Sequence, residues 1–198
     1  WTLSRGLGDV YKRQDFPEGG VMSQKIDTLE IGDSFSFRGP NGRLEYMGDG
    51  VFKIKQLKSQ GGEIIEKKVK NVGMIAGGTG ITPMIQIIRA VLRNENDPTK
   101  LSLLFANKEE RDIILRDKLE NPDRDFSDRF EVHYTLDKAE DGWSGFTGFI
   151  DEEMIRNTMP EPSDDTLILL CGPPKMNSEA VKPALESIGY SPDSIFNF

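Results

Sequence analysis

Residues 72–84 read Val-Gly-Met-Ile-Ala-Gly-Gly-Thr-Gly-Ile-Thr-Pro-Met, and no other stretch limits the possible folds so tightly. An apolar run closes on Gly77, Gly78 and Gly80, and an apolar segment of helical character follows. That order reads as a strand, a tight turn and the start of a helix. Such a junction leaves backbone N–H groups free at the positive end of a helix dipole, which suits a phosphate. Thr79 and Thr82 add hydroxyl groups, and Pro83 fits the first helical position. Far downstream, residues 167–171 followed by Gly172-Pro173-Pro174 repeat the pattern with a thiol, Cys171, at the strand's end. Two such strand ends on one sheet point to a dinucleotide site.

The rest of the chain from Val69 onward alternates strand and helix, the pattern of a parallel sheet. Strands are expected at 72–76, 101–106, 130–136, 167–171 and, as a short last one, 194–198. Helices are expected at 83–93, 111–119, 151–157 and 175–188. The reading is an α/β fold with a five-stranded parallel-sheet nucleotide lobe over residues 69–198. Residues 16–68 read instead as a partial antiparallel β-barrel. Residues 34–38 alternate, 39–42 form a turn cluster, and 44–46 and 51–55 are further short strands. A short helix is expected over 22–29, and the Lys-rich stretch 56–68 reads as a loop. Residues 1–15 change character abruptly at Asp15 and read as non-native or disordered, with a short strand at 9–12 as the alternative.

Charge and composition remove several function classes. Thirty-three acidic against 25 basic residues give a net charge of −8, which argues against nucleic acid as a partner. One cysteine and one histidine exclude an intrachain disulfide, a multi-cysteine metal site and a His-rich metal site. A reducing, intracellular setting fits a lone cysteine. No apolar run reaches the roughly 18–20 residues of a membrane helix.

Each candidate has a plain alternative. The three glycines also suit a simple tight turn, and their spacing is neither Gly-x-Gly-x-x-Gly nor a P-loop. Cys171 sits where open α/β sheets bind ligands, but taken alone it reads first as a small core filler. Asp137, after Tyr134-Thr135-Leu136, can accept ribose hydroxyls and repel a 2′-phosphate, or end a strand as a turn residue. Gly19, Gly20 and Ser23 offer either a phosphate-binding helix start or an ordinary capped turn. Lys53, Lys55, Lys58, Lys67, Lys68 and Lys70 steer an acidic protein partner or form a solvated surface. His133 lies within a strand and reads as packed or surface rather than catalytic.

Taken in order, the strings FPEGGVMSQ, IGD, FRGPNG, VGMIAGGTGITPM, LLFANKEERDIIL, YTLD, GF, LLCGPPKM and the terminal FNF resemble the NADH-cytochrome b5 reductase family. That family lies within the ferredoxin-reductase-like flavoproteins. The resemblance covers residues 16–198 and implies an enzyme that passes electrons from NADH through FAD to a haem protein, cytochrome b5. It implies that Gly20, Val21, Met22 and Ser23 hold the FAD pyrophosphate. Gly77, Gly78, Thr79 and Gly80 match the turn beside the dinucleotide, with Pro83 after them counted among the cofactor-binding residues, and Thr82 matches a threonine near the flavin ring and nicotinamide. Asp137 matches the acidic residue that favours NADH over NADPH. Cys171, Gly172, Pro173 and Met176 match the nicotinamide-side wall, and Phe198 an aromatic carboxyl terminus near the active site. Thr82 and Cys171 are the residues expected at the chemistry. One departure stands: the family's Arg-x-Tyr-Ser/Thr string is absent, so the chain is expected to begin inside the flavin domain. The resemblance further implies a parent protein at the cytosolic face, anchored to endoplasmic reticulum or mitochondrial outer membrane. The flavin–NADH module of a nitrate reductase and an inactive NAD-binding module are the alternatives.

Overall fold

A computed structural model describes residues 20–36, 42–57, 61–120 and 128–198. The chain divides into two compact units at Gly42/Arg43. In the first unit, α1 (Val21–Asp27) starts at Gly20, whose extended backbone provides no side-chain cap. The strand expected at 34–38 is absent over residues 34–36, which adopt no regular element; Phe37 and Arg38 lie outside the described residues. The expectations for residues 1–15, Gly19, Lys58 and the turn at 39–41 also fall outside them.

The second unit opens with a three-stranded antiparallel sheet, β1 (Leu44–Gly48), β2 (Val51–Lys55) and β3 (Ile64–Lys68), in that order. β3 corrects the expected loop. Its register, Val51 opposite Lys68 and Lys55 opposite Ile64, supplies a ladder partner. Its polar sequence hides that ladder because both strand faces carry charge. The sheet then joins the larger core through buried Phe52 and Ile54.

β4 (Asn71–Gly77), β5 (Lys100–Asn107), β6 (Phe130–Leu136), β7 (Phe146–Thr147), β8 (Thr166–Cys171) and β9 (Ile195–Asn197) form one parallel sheet. Its order is β7-β6-β5-β4-β8-β9, six strands rather than the expected five. The addition is two-residue β7, too short to leave a periodic signal. It is held because Trp143 Nε1 donates to the Phe146 carbonyl at 2.9 Å. β4, the first strand of the lobe, lies at the centre. The chain builds outward through β5 and β6, then returns to β4's other side with β8. The order of winding therefore reverses between β4 and β8, where open α/β sheets leave a crevice at the carboxyl ends.

Side chains alternate between two cores. Val72, Met74 and Ala76 of β4 pack in the cluster that includes α2 (Ile81–Arg93), while Ile75 packs on the opposite face. α2 buries Ile81, Met84, Ile85, Ile88, Val91 and Leu92, the helical spacing that covers a sheet. Each such aliphatic side chain contributes about 1.5–3 kcal/mol on burial. The opposite face is covered by α4 (Glu152–Thr158), capped by the Asp151 carboxylate, and by α5 (Lys182–Ile188).

One expected helix is broken and another is widened. Residues 111–119 form a short 3-10 turn, Glu110–Asp112, and a four-residue α3 (Arg116–Leu119). Between them Leu115 adopts φ 60°. Arg116 ties the segment down through ion pairs to Glu110 and Glu120 and lies 5.8 Å from the Tyr134 and Trp143 ring centres. Residues 175–188 run first as a wide π-type turn, Met176–Val181, and then as α5. Pro183 has no N–H to donate to the preceding turn, which accounts for the widening.

Candidate active site

The carboxyl edge of the parallel sheet collects most of the expected residues. β4 ends at Gly77 and turns through Gly78–Gly80 into α2. Beside it, Ala76 pairs with Cys171 at the end of β8. The two corners touch. A Cβ placed on Gly80 would lie 1.9 Å from the Cys171 carbonyl oxygen and 3.1 Å from the Gly172 nitrogen. Any side chain at position 80 would therefore force two backbone segments apart. On Gly77, a Cβ would lie 2.8 Å from both Pro173 Cδ and Met176 Sδ. The structure thus brings Gly77, Gly78, Thr79, Gly80, Cys171, Gly172, Pro173 and Met176 into one wall.

Thr82 is exposed and Pro83 half-buried on the first turn of α2, just past this contact. Phe198 follows β9 along the same edge, its N–H bonded to the Leu170 carbonyl at 3.0 Å and its side chain 47% exposed. The last strand is pinned there. Arg43 Nη2 donates to the Asn197 carbonyl at 2.9 Å, and Asn177 Nδ2 donates to Asn197 Oδ1 at 3.1 Å. A groove lies alongside, lined by Leu44, Tyr46, Pro83, Gln86, Ile87 and Phe198 among others.

Asp137 marks the other end of the edge. It is exposed, directly after β6, and its N–H bonds the Asn107 carbonyl at 3.0 Å. From Cys171 on β8 to Asp137 after β6 the edge crosses three strand spacings, about 14 Å. That is room for the two riboses and diphosphate of an extended dinucleotide. Gly20, Val21, Met22 and Ser23 belong to the first unit, at the start of α1, where Val21 and Met22 are exposed.

Burial pushes the Cys171 thiol above its ordinary value of 9.0. It is therefore a neutral thiol at physiological pH and not an activated nucleophile. The site contains no catalytic histidine: His133 sits mid-strand on β6 near Glu131, away from the carboxyl edge. This arrangement can bind, orient and exclude water, and it is poorly equipped to move protons.

Two side chains on this edge carry no glycine-rich signal. Phe149 is 81% exposed, and the N–H of its neighbour Gly148 bonds the Leu136 carbonyl at 2.8 Å, next to Asp137. Asn107 ends β5 and is 6% exposed. An asparagine closing the apolar run Leu103-Leu104-Phe105-Ala106 is itself a signal, since strands disfavour it.

Comparison with known proteins gives the same architecture. A family model described as "Oxidoreductase NAD-binding domain" matches residues 74–182, and one described as "Oxidoreductase FAD-binding domain" matches residues 9–46. NADH-cytochrome b5 reductase 3 of Rattus norvegicus is 51% identical over 183 residues, covering 92% of this chain and 60% of that protein. NADH-cytochrome b5 reductase 1 of Bos taurus is 50% identical, covering 92% of this chain and 59% of that protein. Among solved structures, the cytochrome b5 reductase domain of Ulva prolifera nitrate reductase superposes with a TM-score of 0.81 at 40% identity. That match covers 93% of this chain and 68% of the other. The chain thus spans about 60% of the length of the curated relatives. On these similarities the chain belongs to the NADH-cytochrome b5 reductase family of FAD- and NAD-binding oxidoreductases.

Proposed function

We propose that this chain is the NADH-binding part, with a portion of the flavin-binding part, of an NADH-dependent oxidoreductase. The whole protein would pass electrons from NADH through FAD to a haem protein, with cytochrome b5 as the acceptor. The observation that carries this reading is the packing of Gly80 against the Cys171 carbonyl at the sheet's switch point. No Cβ fits there, so the corner is reserved for two backbones in contact, with Thr82 beside it and Asp137 along the same edge. Residues 69–198 supply the NADH lobe in this reading, and residues 16–68 belong with the flavin.

The residues fit a pyridine nucleotide. The diphosphate takes the α2 start, where Thr79 and Thr82 add hydroxyls and no acidic side chain stands in the first turn. Asp137 accepts the adenosine ribose hydroxyls, and its charge disfavours a 2′-phosphate. Phe149 offers the adenine a flat apolar face. The nicotinamide end meets Cys171, Gly172 and Pro173, with Met176 behind them.

A flat redox cofactor fits the same end. Thr82, Cys171 and Phe198 present a hydroxyl, a neutral thiol and an aromatic ring. Gly20–Ser23, in the first unit, are the residues that the family resemblance assigns to the FAD pyrophosphate. FAD, when bound, supplies two-electron acceptance from NADH and release of electrons one at a time. The protein's share is orientation: no group here must gain or lose a proton for a hydride to pass. Cys171 holds the nicotinamide at its distance, and Thr82 donates or accepts a hydrogen bond beside the reacting rings.

The membrane anchoring implied for the parent protein belongs to this proposal as well. Among the described residues no helix is long and apolar enough to cross a membrane. The nitrate reductase module is the second reading, favoured by the 0.81 TM-score neighbour. Both readings share NADH and FAD and differ in the acceptor. Anaerobic titration tests them together: the full-length protein with FAD should be yellow and lose its visible absorbance on adding one equivalent of NADH. Reoxidation by added cytochrome b5 then supports the first acceptor. Flavin that NADH leaves unreduced would sink the assignment.

A further inference from the structure

Asn107 is 6% exposed, and neither its Oδ1 nor its Nδ2 has a hydrogen-bond partner. A buried, unpaired amide costs about 1–3 kcal/mol in a folded protein and calls for a reason. Its position supplies one. Ala106 pairs with Gly77, so Asn107 stands one residue beyond the end of β4, level with the Gly78–Gly80 turn. Its other neighbour is Leu136, and its own carbonyl holds the N–H of Asp137. On β5, Leu103, Phe105 and Asn107 share one face by alternation, and Leu103 and Phe105 pack in the core that includes α2. The amide therefore lies on the α2 side of the sheet, between the helix start and the Asp137 carboxylate.

We propose that Asn107 is a positioning residue for the pyridine nucleotide. Its Nδ2 donates to the diphosphate and its Oδ1 accepts from the adjoining ribose, so that both orphaned atoms are satisfied only when nucleotide is bound. The proposal rests on the NADH reading above and extends it to a residue between the two glycine corners and Asp137. It makes a specific demand on stability. Because the amide is unpaired in the free protein, replacing it with an apolar group of similar volume relieves a penalty.

The test is Asn107→Leu in the full chain, with Asn107→Asp as a second variant. NAD⁺ and ADP-ribose affinity is read by calorimetry, and thermal midpoint by circular dichroism without nucleotide. The expected result is about a tenfold loss of affinity for both ligands, the scale of a hydrogen bond or two. The Asn107→Leu midpoint should be equal to or above that of the parent chain. Asn107→Asp should lose more affinity than Asn107→Leu, through charge repulsion with the diphosphate. Unchanged affinity in Asn107→Leu overturns the proposal. So does a fall of several degrees in its midpoint, which would mean that the amide is already paired in the free fold. A parent chain that binds neither ligand refutes the NADH reading itself, a separate outcome from either variant's behaviour.

Discussion

Asp137 is a lone exposed carboxylate at the end of β6, with no basic partner among the described ion pairs. Its charge is therefore available to a ligand, and a 2′-phosphate would meet it directly. Asp137→Ala should narrow the NADH-over-NADPH preference in kcat/KM by tenfold or more, about 1.4 kcal/mol. An unchanged ratio removes Asp137 from cofactor selection. Cys171 is the complementary case: its backbone makes the corner, while its neutral, half-buried thiol packs against the core. Cys171→Ser should slow hydride transfer by about tenfold in stopped-flow measurements, while unfolding free energy moves by no more than about 1 kcal/mol. Equal transfer rates would leave it as filler. Asp97 shows how a buried carboxylate behaves when it is structural. It is 1% exposed, and burial alone would raise its carboxyl. Hydrogen bonds from Thr99, Tyr46 and the Asp49 N–H override that and hold it below its ordinary 3.8. Its stabilising contribution is thus complete above that ordinary value and is lost as pH falls through the lowered one. Urea midpoints measured from pH 6 down to pH 2.5 should fall more steeply for the parent chain than for Asp97→Asn. Parallel curves would show that Asp97 carries no such linkage.

The glycine corners act as one element although they lie more than ninety residues apart. Gly80→Ala must move the Cys171 carbonyl or the α2 start, at a cost of about 1–3 kcal/mol or more. Chemical denaturation should show that loss together with weakened nucleotide binding; a fully stable Gly80→Ala protein would contradict the contact. The strand–turn–helix character of both corners was legible from the sequence, because apolar runs ending in glycine and proline allow few other structures. The alternating cores of β4, β5, β6 and β8 were legible for the same reason. β3 was not, since its Lys67 and Lys68 look like loop residues until β2 offers a ladder; Lys67 Nζ in fact bonds the Asp193 carbonyl at 3.2 Å. Nor was the break at Leu115, whose positive φ is a backbone conformation that leucine rarely adopts and that no residue pattern announces. Asn107 and Phe149 escaped for a different reason. The asparagine closing an apolar run marks position 107 in the sequence, but the unpaired amide and the exposed Phe149 ring that give these two residues their significance are properties of the folded edge.

Across the whole chain, the six parallel strands and their two helix layers set a row of strand ends with β4 at its centre. Nucleotide length, not catalytic chemistry, dictates what the row must span. The nicotinamide corner and Asp137 stand at its two ends, and Asn107 lies between them. The three-stranded sheet shares the core with this row through Phe52 and Ile54, so its position is fixed relative to the corner. Pinned β9 does the same for Phe198. Asn177→Ala should loosen that strand, which amide hydrogen exchange at Phe196 and Phe198 would register as faster exchange. Unaltered exchange would mean that Arg43 suffices. The most direct check on the account is a map of backbone amide shifts in ¹⁵N-labelled chain titrated with NAD⁺. The largest shifts should fall on Gly77–Thr82, Asn107, Asp137 and Cys171–Gly172, all with one dissociation constant. Shifts confined to another surface, or none at saturating nucleotide, would contradict it.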